Sequence, residues 1–430
     1  MLPLYLLILI FVLMLILGVP IAIVILLTAA IGLYSRDIPL SMLPQTMIIG
    51  IKSYTLLAIP LYILAGELMN ASGVAKRIFD FALALVGHIK GGLGHVNILA
   101  SLVFAGISGS ATADASGLGR VEIKAMREEG YDIDFSAAIT AASSTIGPII
   151  PPSIHMMIYA TVAEVPAAAL LIAGLVPGLL MGVGLMIAVY LLAVSGRVKC
   201  PVRSRKPIKI ILLRFKEAFL ALLAPIIIVG GIMGGIVTPT EAGVIAVVYT
   251  FLLGIFYREL NINKIGMCLQ RTIYSTGVVM FMLAVARIFA WFITIERIPD
   301  AIMGFVFSFT ENKILILFFV DVLLLLLGMI ATASANIVLV TPILLPMLLP
   351  LGVDPIHLGV VIVFGLVLGI ITPPVGTSLY ILSEVAQISY ERVVKAILIF
   401  YIPLVLVLYI ITYVPQMVLF LPKIVGLMPR

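Results

Sequence analysis

Two short stretches decide how this chain folds: GISGSATAD at residues 106–114 and GMIATASAN at residues 328–336. They start 222 positions apart, and eight of their nine aligned pairs are identical or similar in size and polarity. A second pair, GPIIPP at 147–152 and GIITPP at 369–374, has the same spacing of 222 and is identical at four of six positions. Two unusual motifs at one spacing indicate an internal repeat, because chance matches would not share an interval.

The composition places this repeat in a membrane. The chain has 430 residues, of which 63% are hydrophobic and 11% are charged, whereas soluble domains are about 45–50% apolar and about 25% charged. At about 20 residues per transmembrane helix, the apolar residues set an upper bound of about thirteen spans. The apolar runs lack the alternating polarity of an outer-membrane barrel. We therefore predict an all-α polytopic membrane protein.

The basic residues indicate that the two copies of the repeat face opposite sides of the membrane. Eight of the 26 Lys and Arg residues lie in 197–216, and short loops rich in these residues stay in the cytoplasm. The polar flank of the first copy, 115–134, also carries basic residues, whereas the matching flank of the second copy, 341–358, has no Lys or Arg. This asymmetry is typical of inverted-topology repeats, which build secondary transporters.

The predicted organisation follows from this symmetry. The first repeat is 1–196, a basic cytoplasmic connector is 197–216, and the second, inverted repeat is 217–430. Each repeat is predicted to hold one re-entrant helical hairpin and one broken helix: a hairpin around 92–130 and a broken helix at 135–162, then a hairpin around 314–352 and a broken helix at 357–385.

The first motif pair suits the tips of the hairpins. Its residues are almost all Gly, Ala, Ser and Thr, with one carboxylate, Asp114. Such runs can serve close helix packing. The second copy and the intramembrane acid favour instead a site where hydroxyl and carbonyl oxygens coordinate a cation, because irregular backbone at membrane depth must line a cavity or be buried.

The second motif pair predicts helix breaks. A Pro-Pro pair removes two backbone donors and disfavours helical geometry just before it. The freed carbonyls are cation ligands, and the helix that starts after the break offers a positive end to an anion. A cation and an anionic substrate bound together neutralise each other in a low-dielectric site, which is the physical basis of ion-coupled symport.

Long motifs in the same order make the chain similar to the large membrane subunit of the tripartite ATP-independent periplasmic (TRAP) transporters. The resemblance covers nearly the whole chain, and its motifs are LGVPIAI (17–23), LLAIPLYILAGELMNASGVAKRI (56–78), GGLGHVNILASLVFAGISGSATADASGLG (91–119), GPIIPPS (147–153), TPTEAG (238–243), TPILLP (341–346) and GIITPPVG (369–376). It implies an elevator-type, sodium-coupled importer of an organic acid (a dicarboxylate, a sugar acid or a sialic-acid-like compound) in the bacterial or archaeal inner membrane. It also implies two partners, a small four-helix membrane subunit and a soluble periplasmic substrate-binding protein.

The resemblance assigns site residues by position. In the first repeat the expected Na⁺ contacts are Ser108, Ser110, Asp114, Gly147, Ile150 and Pro151. In the second repeat they are Gly328, Thr332, Asn336, Gly369, Thr372 and Gly376. Many family members carry an acidic residue at the position of Thr332, so Asn336 is expected to take over a polar role. Beside these ion contacts, the expected substrate contacts are Thr112, Pro152, Ser153, Ser334 and Pro374, from the tips and breaks themselves, and Arg287, from its charge within an apolar run.

Three further charged residues lie within apolar runs: Glu67, Arg287 and Asp321. Charges inside a membrane are functional candidates by default. Arg287 could face an anionic substrate, pair with Glu67, or extend its head group from near a helix end to the interface. Asp321 lies near an expected hairpin, where it could cap or pair. His155 follows the Pro-Pro break, and a packing role is favoured over a proton relay.

Three other functions can be compared with this one on the residues alone. A stand-alone sodium- or proton-coupled anion symporter of the divalent-anion type would use the same physics without a binding protein. An intramembrane enzyme would need paired acids, a Ser–His pair or a metal cluster within the spans, which the four scattered His residues do not supply, so we expect no enzymatic activity. A purely structural scaffold would not need two matched helix breaks.

Overall fold

The computed structural model describes residues 4–428, and these residues form helices without any β-strand. Eight of the helical segments are long and apolar enough to cross a bilayer. The predicted class, an all-α polytopic membrane protein, is therefore confirmed. The first twelve α-helices are α1 (Leu4–Ile16), α2 (Ile21–Ser35), α3 (Met42–Ile51), α4 (Ala58–Ala71), α5 (Val74–Val86), α6 (Gly92–Ser108), α7 (Ala111–Ser116), α8 (Leu118–Glu128), α9 (Ile133–Ser144), α10 (Ile154–Val162), α11 (Ala167–Ala173) and α12 (Leu175–Val194).

The described part of the second half contains ten further α-helices. They are α13 (Ile208–Met233), α14 (Pro239–Phe256), α15 (Ile262–Ile295), α16 (Ile298–Phe309), α17 (Lys313–Ile330), α18 (Ala333–Leu348), α19 (Pro355–Gly369), α20 (Thr377–Ala386), α21 (Tyr390–Tyr413) and α22 (Gln416–Ile424). Short 3-10 turns at Tyr54–Leu57 and Leu349–Leu351 extend α4 and α18. The pairs α6/α17, α9/α19 and α10/α20 start close to the 222-residue spacing of the motifs.

Each half contains a hairpin and a broken helix. The first hairpin runs up α6, turns at Gly109 and returns through α7 and α8, and the second runs up α17, turns near Ala331 and returns through α18. The broken helices are α9 with α10 and α19 with α20, and a Pro-Pro pair with a cis peptide bond lies inside each break. Gly109 has a φ of +60° and its position allows no Cβ, because the carbonyl of Pro152 lies against it.

Hydroxyl side chains start three of the inner helices. Ser110 caps α7, Ser153 caps α10 and Thr332 caps α18, each by accepting a hydrogen bond from a backbone N–H in the first turn. These are the residue types that favour N-caps, because their oxygen satisfies a donor that the helix itself cannot. Three predicted site residues therefore also determine where helices begin.

We divide the helices into two groups, which contact each other extensively, above all through α5 and α6. One group, which we call the frame, comprises α1–α5 and α13–α16, and the other, which we call the hairpin bundle, comprises α6–α12 and α17–α22. Each repeat contributes to both groups. Within the bundle the repeats interlock, because α7 of the first hairpin contacts α20 and α18 of the second hairpin contacts α10.

The basic stretch marks one face of the molecule, which we call the basic face. Arg203 Nε donates to Glu129 Oε2 at 2.9 Å, and Arg214 lies 4.0 Å from Asp80. The hydrogen bonds from Arg203 lower the pKa of the Glu129 carboxyl. These contacts tie the stretch after α12 to α5 and to the end of α8. The helix α13 begins at Ile208, inside the predicted 197–216 connector, directly after Pro207, and an apolar run follows.

Candidate functional site

The two hairpin tips meet at a cavity of about 470 Å³, which we call the central cavity. Its remaining walls come from α10 and α20 of the bundle and from α4 and α15 of the frame. Its lining on the frame includes Glu67, Tyr274 and Ser275, which lie in the half of α4 and α15 nearer the basic face. Five predicted site residues line it: Ser108, Ser110, Thr112, Thr332 and Ser334.

Helix N-termini converge on this cavity. The first residues of α10, α18 and α20, which are Ile154, Ala333 and Thr377, all line it, and so does Ala111 at the start of α7. A helix N-terminus carries a partial positive charge and free N–H groups. No Lys or Arg lines the cavity in the described chain. The helix ends therefore offer partial positive charge to an anion without a basic side chain, while the Glu67 carboxylate on the opposite wall lies 3.4 Å from Arg271.

Asp114 is the centre of the first predicted ion site. Its side chain is 2% exposed, and its Oδ1 accepts a hydrogen bond from the Ser108 hydroxyl. Its Oδ2 is buried and has no hydrogen-bond partner. A buried carboxylate oxygen without a donor requires a proton or a cation. Gly147 lies directly against Oδ2, where a Cβ would collide with it, so the break approaches the carboxylate through backbone atoms.

The other predicted first-repeat residues lie in the first hairpin tip and in the break next to it. The Ser110 hydroxyl lies 3.1 Å from that of Thr112, and the backbone of Ser110 is near Gly147. Ile150 packs on Gly178 of α12. The Ser153 hydroxyl donates to the carbonyl of Pro148. The structure thus brings the first hairpin tip and the first break, including Pro151 and Pro152, into one place.

The second predicted ion site differs chemically. Gly328 and Gly369 bring α17 and α19 into backbone contact. Asn336 Nδ2 donates to the carbonyls of Leu327 at 2.7 Å and Ala331 at 3.2 Å, so its amide satisfies oxygens at the hairpin tip. Thr372 donates to Leu368 O at 2.8 Å. The only groups gathered here are carbonyls, hydroxyls and this amide, without a carboxylate among the predicted residues.

Two tyrosines from α21 hold the second break. Tyr390 donates to the carbonyls of Pro374 at 2.9 Å and Val375 at 3.1 Å, and Tyr401 donates to the carbonyl of Ile371. At the 222-residue spacing the first repeat has Ala168 and Leu179 instead. These tyrosines were not predicted, because their sequence context is that of ordinary interfacial residues.

The predicted substrate residues separate into three sets. Thr112 and Ser334 line the central cavity, and Pro152, Ser153 and Pro374 lie in the breaks behind it. The structure does not bring Arg287 together with them. Its Nη1 lies 2.5 Å from Glu164 Oε1, in the loop after α10.

The other charged candidates also find partners. Glu67 contacts Arg271 at 3.4 Å, so the alternative in which Glu67 pairs with Arg287 is wrong. Asp321 is buried and accepts a hydrogen bond from Thr412 at 3.2 Å, in accordance with a pairing role.

His155 differs from these residues. It borders the central cavity, and its Nδ1 is buried without a hydrogen-bond partner.

One buried polar network was missed. Glu122 of α8 is 1% exposed and accepts from Asn97 Nδ2 at 2.8 Å, and the same nitrogen lies 2.7 Å from Thr140 Oγ1. Ser143 donates to Asn97 Oδ1 at 2.6 Å. Because Glu122 stands among charged residues in the sequence, its pattern is that of a solvated helix face, and only the packing of α8 on α6 and α9 buries it.

Comparison with known proteins adds the family context. A family model described as the DctM component of the tripartite ATP-independent periplasmic transporters matches residues 8–417. The chain is 39% identical to the sialic acid TRAP transporter large permease protein SiaM of Vibrio cholerae over 410 residues, which cover 95% of each protein. It is 39% identical to the C4-dicarboxylate TRAP transporter large permease protein DctM of Pseudomonas aeruginosa, over 87% of this chain and 88% of the relative.

A solved structure shares the fold. The Alcanivorax borkumensis YdaH transporter superimposes with a TM-score of 0.61 at 15% sequence identity, over 87% of this chain and 88% of that one. At this identity the likeness concerns the fold alone.

Proposed function

The chain belongs to the DctM component family of the tripartite ATP-independent periplasmic transporters, and from this premise we propose that it is the large permease subunit of a sodium-coupled importer of a small organic acid. The relatives are named for sialic acid, C4-dicarboxylates and 2,3-diketo-L-gulonate. These three compounds share a carboxylate, whereas a further relative is named for isethionate, which is a sulfonate. All four are small organic anions, and the proposed cargo is an organic acid of this kind, with a carboxylate as the group named most often. The proposed role is transport without catalysis.

The proposal rests on the central cavity. Three helix N-termini and the start of α7 offer it partial positive charge, while Asp114, behind the first hairpin tip, keeps one oxygen free of hydrogen bonds. A Na⁺ bound at Asp114 would neutralise the buried carboxylate, and the carboxylate of the substrate would lie at the helix ends. In a low-dielectric site each ion strengthens the binding of the other, so the two would move together.

The proposed partners follow from the family. A periplasmic binding protein would deliver the acid, and a small membrane subunit would accompany this chain in the inner membrane of a bacterium or archaeon. The sialic acid TRAP transporter permease protein SiaT of Haemophilus influenzae is a longer chain, 62% of which aligns with 88% of this one.

We also propose that the hairpin bundle moves against the frame as an elevator. Two of the contacts between the groups involve glycine: Gly66 of α4 faces the backbone of Ser108, and Gly106 of α6 faces Pro225 of α13. Such residues let backbones approach closely and leave a smooth surface along which the bundle can slide.

Uptake into proteoliposomes tests the proposal. The full chain is reconstituted with its small subunit, the cognate binding protein is added outside, and labelled sialic acid and succinate serve as probes. We expect uptake to require an inward Na⁺ gradient and the binding protein, and Asp114→Asn to abolish it. The control Glu128→Gln changes a carboxylate whose side chain is 65% exposed on α8 of the same hairpin.

Two outcomes would contradict parts of the proposal. Full uptake by Asp114→Asn, or uptake that is indifferent to sodium, would overturn the ion site. Uptake by this chain alone, without a binding protein, would favour the stand-alone anion symporter.

A further inference from the structure

A second cavity lies between the frame and the hairpin bundle, and we call it the outer cavity. Its volume is about 380 Å³, and its polar lining includes Ser53, Thr55, Thr161, Glu164 and Arg287. Pockets of about 300–1,000 Å³ are the usual size for small-molecule sites. The central cavity shares none of these five residues.

The outer cavity is on the face opposite to the basic face. Glu164 precedes the apolar segment Ala167–Val194, which is 28 residues long and ends at Val194 near the basic stretch. A helix of this length crosses the bilayer at about 1.5 Å per residue. Glu164 and its partner Arg287 are therefore one membrane crossing away from the basic face.

The two cavities lie one after the other along the boundary between the frame and the hairpin bundle, which we call the seam. Along α15, Ser275, Val279 and Met282 line the central cavity, and Leu283, Ala286 and Arg287 continue the same face into the outer cavity. Residues three and four apart share a helix face.

The opposite wall is shared as well. The start of α10, at Ile154 and His155, lines the central cavity, and Thr161 near its end lines the outer one. The turn before α4 contributes Thr55 to the outer cavity, and α4 itself contributes Ile63 to the central cavity. Three elements thus connect the two cavities along one line.

The ion pair in the outer cavity is exchangeable. The side chains of Arg287 and Glu164 are 48% and 66% exposed, and exposed ion pairs contribute little to stability. A carboxylate from solution can therefore replace that of Glu164 at low cost. The planar guanidinium of Arg287 suits any such group, because it can donate two parallel hydrogen bonds to a carboxylate.

We propose that the outer cavity is a second binding site for the organic acid, in which Arg287 holds the substrate carboxylate and Glu164 occupies that position when no substrate is present. This inference rests on the proposed function, because it takes a carboxylate as the cargo. It gives the acid a first contact at the outer face, on the seam that leads to the central cavity.

Binding measured without sodium tests this site. The full purified chain is titrated with succinate and with sialic acid in choline buffer, where the sodium-dependent central site is not loaded. Trp291, the one tryptophan of the chain, lies one turn from Arg287 on α15 and provides a fluorescence signal. Succinamide, in which amides replace both carboxylates of succinate, serves as the uncharged probe.

The two charge-removing variants should have opposite effects. Glu164→Gln removes the competing carboxylate, so succinate or sialic acid should bind about two- to fivefold more tightly, the range expected for an exposed ion pair. Arg287→Gln should weaken binding by at least about tenfold, since charge-assisted bidentate contacts are lost. Arg297→Gln, an exposed arginine at the same end of α15, should leave binding unchanged.

Two results would overturn the proposal. If both variants changed binding in the same direction, the pair would be a structural contact and not an anion site. If neither acid bound at millimolar concentration in an Arg287-dependent manner, the site would not exist. Sodium-driven uptake through Asp114 is measured separately, so a failure here leaves the proposed function standing, and a loss of sodium coupling alone leaves this site standing.

Discussion

At the scale of single residues, the contact between Gly147 and Asp114 determines how much space is left beside the buried carboxylate. Asp114 Oδ2 is buried and unpartnered, and Gly147 is the residue that lies against it. A side chain at 147 would fill the space beside the oxygen. The glycine is therefore required by close approach and not by an unusual φ angle.

We predict that Gly147→Ala weakens sodium binding by at least about tenfold. The added methyl group collides with Asp114 Oδ2, and overpacking of this kind costs about 1–3 kcal/mol. The sodium concentration that gives half-maximal uptake, or half-maximal thermal stabilisation of the purified chain, measures the effect. Gly277→Ala on α15 is the control, because nothing lies within 4 Å of a Cβ at that position. Equal sodium affinity in both variants would show that Oδ2 is not a sodium ligand.

For single residues, the sequence predicted contacts within one motif but not contacts between distant parts of the chain. Ser108, Ser110 and Asp114 could be placed together because one motif holds them within nine positions. The partner of Arg287 could not be found, because Glu164 is separated from it by 123 residues and only the packing of α10 on α15 joins them. Glu122 was overlooked for the same reason, since burial of a charged helix face depends on its neighbours.

At the scale of elements, the two broken helices are alike in backbone and different in support. Both open at a Pro-Pro pair after α9 or α19. Only the second break has tyrosine hydroxyls on its carbonyls, from Tyr390 and Tyr401 of α21. The second break is thus held by a neighbouring helix, whereas the first is buried against the first hairpin.

We predict that replacing both tyrosines by phenylalanine loosens the second break alone. Each lost hydrogen bond costs about 1 kcal/mol, and more where the carbonyl is left buried without a donor. Hydrogen exchange should therefore rise in 369–376 and stay unchanged in 147–152, with a lower thermal midpoint for the whole chain. Tyr274→Phe is the control, because Tyr274 is 75% exposed. An equal change in hydrogen exchange in both breaks would show that the two tyrosines do not hold the second break.

At the scale of the whole molecule, the frame and the hairpin bundle approach each other closely along the seam between them. Gly66 of α4 faces the first hairpin tip so closely that a Cβ would lie 3.3 Å from the carbonyl oxygen of Ser108. The seam also contains both cavities. A larger side chain at 66 would press on the part of the bundle that carries Asp114.

We predict that Gly66→Val blocks transport while the chain remains folded. The added isopropyl group would press on the backbone of Ser108, so uptake should fall by at least about tenfold, in line with an overpacking cost of about 1–3 kcal/mol. A single symmetric peak in size-exclusion chromatography would show that the protein is folded. Gly266→Val on α15 is the control, since that position faces open space. Undiminished uptake by Gly66→Val would mean that the bundle does not move past α4 at this point.

The sequence by itself determined the membrane class, the repeat and the places where helices break. These features depend on local composition, on Gly and Pro, and on one spacing, all of which are properties of the chain before it folds. Tertiary structure alone decided which groups became neighbours. It joined Arg287 to Glu164, buried Glu122 beneath Asn97, put tyrosines on the second break, and lined two cavities with one face of α15. The physical reason is that long-range contacts depend on how helices pack, and identical local patterns are compatible with many packings.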